Sequence, residues 1–294
     1  MDEKNQAKCL MLISAIIWGT SFVVGRVGVM YIEPLTFSMI QNSIGSSVLL
    51  LALLWFSRGS SIREALEGFS KPSIIMIGVF NGLAYAMQYV ALTLTTAGKT
   101  SLLVNLGIAF VPLFGLLIYK ETVQKNNVIA LILGLLGAFL ITTEGNISLI
   151  FSGEVMGDYL AMGAGLMWAL WIVLADQELK RTDRAIRIAA PNAVITSILL
   201  FIFASLMGSL NQLSTAPVEM WSAAVYLGVF SIAIAYILYY AGLRILGGTV
   251  SVVYLLLQAL IAVILGIILL AEPISLMLVT GASLILVSLV IAKE

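Results

Sequence analysis

The chain has 294 residues, of which 61% are hydrophobic and only 10% charged, with 15 Lys and Arg against 15 Asp and Glu, no histidine and a mean hydropathy of +1.09. A soluble domain of this length carries roughly a quarter of its residues as charged side chains, so this composition excludes a water-soluble globular fold and places the chain in lipid. Zero net charge says little about partners, because what matters is how the charges are distributed between loops; no nucleic-acid partner is expected, and there is no histidine and no metal-ligand cluster.

Cys9 is the single cysteine and rules out an intramolecular disulfide. Met1 to Lys8 are polar and lead into about 20 apolar residues, too long for a signal-peptide core and followed by no small-residue cleavage site, so this segment is expected to stay as a first span. Beyond it, apolar runs of about 18 to 23 residues recur, each able to cross a hydrocarbon core of roughly 30 Å. They predict ten spans: residues 9–30, 35–56, 73–94, 99–119, 126–143, 156–177, 187–208, 218–241, 248–270 and 275–292. Punctuation falls between them at Glu33-Pro34, Ser57-Arg58-Gly59-Ser60, Lys71-Pro72, Glu144-Gly145-Asn146, Thr215-Ala216-Pro217 and Glu272-Pro273.

Ten spans put both termini on one side. Lys4, Lys8, Arg58, Arg63, Lys71, Lys120, Lys125, Lys180, Arg181, Arg184, Arg187, Arg244 and Lys293 fall on that side, and only Arg26 and Lys99 on the other. The positive-inside rule then makes both termini cytoplasmic in a multi-pass protein of the cell membrane.

The two halves of the sequence echo each other about 150 positions apart, as repeated units do. Ile77-Gly78-Val79-Phe80 returns as Leu227-Gly228-Val229-Phe230, and Trp18 pairs with Trp168, Tyr89 with Tyr239, Ala91 with Ala241, Gly98 with Gly248 and Ser101 with Ser251. Five spans per half is an odd number, so the second half enters the membrane from the opposite side and a pseudo-two-fold axis lies in the membrane plane. The expected fold is an all-α integral membrane protein of ten transmembrane helices, built as two inverted five-helix repeats over residues 1–148 and 149–294.

The Trp18-Gly19 pair, the Tyr-x-Ala-Leu run at Tyr89 leading to Ser101, its echo Tyr240-Ala241-Gly242-Leu243 leading to Ser251, and Ala271-Glu272-Pro273-Ile274-Ser275 with the first-half Lys120-Glu121 form an ordered set. In these motifs the chain resembles the drug/metabolite transporter superfamily, specifically its ten-helix EamA-type members, over essentially its whole length. The resemblance implies a secondary transporter, with bacterial amino-acid and metabolite exporters among its relatives. The chain departs from the family pattern at Ile108 and Ala259, where a proline is frequent, and at Gln258, where many members carry Glu.

Independently of the family, the polar residues mark the pathway. Asn81, Tyr85, Gln88 and Tyr89 share one face of span three, and span nine presents Ser251, Tyr254 and Gln258. Span four contributes Ser101 and Asn105, span one Ser14, Trp18, Ser21 and Gly25, span two Gln41 and Asn42, span six Trp168 and Trp171, span seven Asn192 and Thr196, and span eight Tyr236 and Tyr240. An unpaired amide in hydrocarbon costs several kcal/mol, so these faces must meet each other or a cavity. The expected substrate-binding residues are Trp18, Ser21, Asn42, Asn81, Tyr85, Gln88, Asn105, Trp168, Trp171, Asn192, Tyr236, Tyr240, Tyr254 and Gln258. For each amide the competing role is to bond one helix to another.

Span five has no polar side chain between Val128 and Ile141 and span ten only Thr280, Ser283 and Ser288, so both belong at the periphery. Gly134 and Ala138 make a small-residue face in span five that fits either intrachain packing or another subunit, leaving monomer and homodimer open. Glu121 and Glu272 at span ends read as structural.

No Asp or Glu stands at mid-span, which argues against carboxylate-based proton antiport, and no catalytic set points to an enzyme. No cofactor is expected. The function read from the sequence is alternating-access transport, as export, of a small polar or amphipathic metabolite such as an amino acid. The alternative is a channel-like pore or an uptake carrier for an amine, nucleoside or vitamin. The partners are that small-molecule substrate and the lipid bilayer.

Overall fold

In the computed structural model, eight helices among the described residues are long and apolar enough to cross a bilayer, and two shorter apolar helices, Leu257–Leu270 and Leu276–Ser288, bring the spans to ten. The structure describes residues 3–57, 66–151, 153–182, 184–208 and 210–292. Arg58, Gly59, Ser60, Arg63 and Lys293 lie outside them, as does the side chain of Ser251. The spans in chain order are Glu3–Gly28, Pro34–Phe56, Pro72–Leu94, Ala97–Tyr119, Lys125–Thr143, Met156–Leu179, Ile186–Leu206, Val218–Leu246, the arm ending at Leu270, and Leu276–Ala292.

Local chemistry sets their ends. Pro34 opens span two while Glu33 accepts from the Thr36 amide at 2.8 Å, and Thr96 caps span four by accepting from the Lys99 amide at 3.1 Å. Span one starts earlier than the apolar run at 9 because the polar residues before it are helical too, with Glu3 in the first turn complementing the helix dipole.

Spans eight and nine depart from expectation. The apolar pattern predicts an end at 241 and a restart at 248, whereas helical backbone continues through Ala235–Leu270, since no proline interrupts it. The chain nevertheless reverses. Ser14 reaches the Ala235 carbonyl and Trp18 that of Ser231, while Gly242 lies against Met11, so this arm runs antiparallel to span one. Gly19 meanwhile lies against Gln258 and Ile261 of the returning arm, as separate crossings require.

The echoed Gly-Val-Phe marks a helix crossing made twice. A Cβ on Gly78 would stand 2.6 Å from Ile195 Cβ and 3.2 Å from the Asn192 carbonyl; one on Gly228 would stand 2.8 Å from both Ile44 Cβ and the Gln41 carbonyl. Span three thus crosses span seven as span eight crosses span two, at the repeat offset of about 150, which is the packing signature of inverted halves. The copies differ in backbone. Gly78 sits in regular α-helix, whereas Leu227–Ile234 is a π-helical segment, a form that is rare and frequent at functional sites.

Spans five and ten pack on each other at the edge, with Gly137 and Gly281 back to back. The small-residue face of span five is used within the chain, Gly134 lying against Leu106 and Ser288.

Gly228→Val would drive a branched side chain into the backbone of span two, so the thermal midpoint in detergent is expected to fall with a loss of roughly 1–3 kcal/mol. Ala271 holds φ 51, a left-handed conformation that costs a non-glycine residue roughly 1–2 kcal/mol. Ala271→Gly is therefore expected to raise the midpoint in the same fluorescence-detected size-exclusion measurement.

Candidate functional site

Six spans line a central, partly open cavity of about 70 Å³. Trp18 and Ser21 come from span one, Tyr85, Gln88 and Tyr89 from span three, Asn105 and Ile108 from span four, Trp168 and Trp171 from span six, Ser231, Tyr236 and Tyr239 from span eight, and Gln258 from span nine. Each set lies on one helical face, which is why residues distant in sequence converge. Span four loosens to a 3₁₀ turn at Gly107–Phe110, where Gly107 backs directly onto Gly165 of span six.

The walls are aromatic and tightly cross-braced. Trp18 packs at 5.6 Å from Tyr236 and 4.9 Å from Tyr239, Trp171 at 5.6 Å from Tyr236, and Tyr85 stands edge-on to Trp168 at 5.5 Å. Such pairs add about 0.5–1.5 kcal/mol each beyond burial. Behind them Asn81 is a hub: its Oδ1 accepts from Trp168 Nε1 at 3.0 Å and from the Tyr236 hydroxyl at 2.9 Å, and its Nδ2 donates to Thr196 Oγ1 at 3.0 Å. Thr196 in turn donates to the Gly78 carbonyl at 3.0 Å, tying the hub to the span three–span seven crossing. Trp18 Nε1 donates to the Ser231 carbonyl at 2.9 Å within the π-helical segment, and Tyr89 donates to Gln41 Oε1 at 2.8 Å. Two buried acceptors on the cavity, Gln88 Oε1 and Gln258 Oε1, have no partner among the described residues.

The structure brings Trp18, Ser21, Tyr85, Gln88, Asn105, Trp168, Trp171, Tyr236 and Gln258 onto the cavity. Asn42, Asn81, Asn192, Tyr240 and Tyr254 are not among its lining residues. Asn42 is fully buried and donates to the Ser38 carbonyl of its own helix, and Asn192 lies 3.5 Å from the Tyr240 hydroxyl. Asn81 is fully buried behind the aromatic wall, and Tyr254 is half-buried away from the cavity. Spans two and seven therefore form a second layer rather than a wall, Asn42 bonding within its own helix and Asn192 facing Tyr240 of span eight.

Sequence reasoning missed ten of the nineteen lining residues, among them Phe22, Tyr89, Ser231, Tyr239 and Leu255. Tyr239 had a signal, being the repeat partner of Tyr89 on the span-three face. Ser231 had none, since the π-helical register that presents it leaves no mark in the hydrophobic pattern.

The sequence profile of the EamA-like transporter family matches residues 6–143 and again residues 155–292. The chain belongs to the EamA-like transporter family. An uncharacterized transporter of Archaeoglobus fulgidus is 28% identical over 260 residues, covering 88% of each chain. The uncharacterized transporter YvbV of Bacillus subtilis is 28% identical over 291 residues, covering 97% of this chain and 91% of its own. A crystal structure at 18% identity superposes with a TM-score of 0.66 over 97% of this chain and 96% of that one, a likeness of fold. This EamA-family protein is thus a multi-pass membrane transporter, and its cavity lies where the spans of both repeats converge.

The geometry separates two kinds of amide. Gln88→Ala and Gln258→Ala are expected to lower flux several-fold at an unchanged thermal midpoint. Asn81→Ala strands Trp168, Tyr236 and Thr196, each buried group costing roughly 1–3 kcal/mol, so midpoint and flux should fall together. Paired transport and thermal-unfolding measurements on the purified variants distinguish the cases.

Proposed function

We propose that this transporter exports a small polar or amphipathic metabolite, an amino acid or a related compound, across the cytoplasmic membrane by alternating access, with both termini in the cytoplasm. The observation that carries the reading is the aromatic-walled cavity with two unpartnered amide oxygens, Gln88 Oε1 and Gln258 Oε1. An ammonium group donates to such oxygens and sits favourably against ring faces, at about 0.5–2 kcal/mol per contact. The same rings accept an apolar side chain. Among the described residues no Asp, Glu, Lys or Arg lines the cavity, which favours a solute without net charge, because an unpaired ion in this setting is costly. Export follows the resemblance to amino-acid and metabolite exporters, and the orientation follows the basic residues gathered on the side of the termini.

Counterflow in proteoliposomes tests the reading. Labelled amino acid should enter saturably and faster against unlabelled amino acid inside; flux that neither saturates nor responds to the trans solute would make the protein a pore and overturn the carrier. A thermal-shift screen across amino acids, amines, nucleosides and vitamins should give its largest rise with an amino acid, since a ligand stabilises the state it binds. The largest rise with another class would overturn the assignment.

A further inference from the structure

Glu272 bridges two spans from opposite repeats. Its Oε1 accepts from the Ala97 amide at 2.6 Å and its Oε2 from the Gly98 amide at 2.9 Å, so the carboxylate of span nine's end holds the first turn of span four. Carboxylate bonds to amides at a helix N-terminus are charge-assisted and aligned with the dipole. The approach is close: a Cβ on Gly98 would stand 3.0 Å from Glu272 Oε2 and 3.5 Å from Val263 Cα. All of this lies at the end of the bundle away from the termini.

The other repeat carries a glutamate in the same local backbone setting. Lys120 and Ala271 are both left-handed, at φ 60 and φ 51, and the glutamate after each returns its amide to a glycine carbonyl, Glu121 to Gly115 at 3.3 Å and Glu272 to Gly266 at 3.2 Å. Glu121 has a different partner. Its Oε1 accepts from Gln177 Nε2 of span six at 3.0 Å, and its side chain is exposed. Among the described residues the first half of span four, Ala97–Leu106, lies against spans nine and six, and its second half, Val111–Tyr119, packs on span six. Asn105, Ile108 and Gln258 face the cavity between spans four and nine.

We infer that Glu272 is a clasp of the transport cycle: it closes spans four and nine at the end away from the termini, and its release opens the cavity to that face. Glu272 is a positioning residue and need not touch the solute. The inference rests on the transporter reading but not on the identity of the substrate.

The test reads access to the cavity with no substrate present. In a Cys9→Ser background, Ser21→Cys places one thiol on the cavity wall, and a membrane-impermeant maleimide is applied from each face in turn. Glu272→Gln should raise the labelling rate from the face away from the termini about tenfold, the effect of roughly one charge-assisted hydrogen bond. Ala97→Pro should act in the same direction. It deletes the amide that Glu272 Oε1 accepts from while fitting the first helical position, where proline is tolerated, and Thr96 before it is already extended. Parent-like labelling in both Glu272→Gln and Ala97→Pro, in protein with an unchanged thermal midpoint, would overturn the clasp; a failed counterflow assay would leave it standing.

Discussion

A polar group inside a bilayer has no water to turn to, and this one constraint organises the molecule. Every amide and hydroxyl in the spans must find a partner in the protein or face a cavity. Asn81 meets the requirement by gathering Trp168, Tyr236 and Thr196 around one side chain, and Tyr89 meets it with Gln41. Other buried atoms, such as Asn42 Oδ1 and Asn192 Oδ1, have no partner among the described residues and lie off the cavity, whereas the unpartnered oxygens of Gln88 and Gln258 line it and are available to a solute. Structure and transport therefore draw on the same set of residues, divided by whether the protein has already supplied the partner.

Without a hydrophobic drive between helices in lipid, close backbone approach must hold the bundle, and glycine supplies it. Gly78 and Gly228 let spans three and eight cross spans seven and two, and those crossings fix the faces that carry Asn81, Tyr85 and Tyr236. The duplicated frame does not produce a duplicated lining. In the π-helical register of Leu227–Ile234 the Ser231 carbonyl accepts from Trp18, whereas in the other half Trp168 donates to the side chain of Asn81 at the matching position, so a backbone acceptor in one repeat stands where an amide side chain stands in the other and the cavity is asymmetric. Asymmetry of lining within symmetry of frame lets two halves trade conformations around a site that recognises one solute.

Much of this was legible in the residues. The ten apolar runs, the odd number per half and the Gly-Val-Phe echo carry the fold, because lipid imposes length and composition on each span separately. Nine of the fourteen expected site residues reach the cavity, since a polar face on an apolar helix can point only inward. The remaining five, Asn42, Asn81, Asn192, Tyr240 and Tyr254, look the same in sequence but are spent on neighbours or lie aside. Helical periodicity tells which way a side chain points and nothing of what stands opposite it.

The sequence by itself determined a membrane protein of inverted repeats with an amide and aromatic interior, because those properties follow from hydropathy, charge placement and period. Tertiary structure decided which amides stay free, where spans eight and nine part, and that Glu272 reaches the amides of Ala97 and Gly98 across about 175 positions of chain. Those outcomes depend on distances between helices, set by packing at crossings that no local pattern encodes.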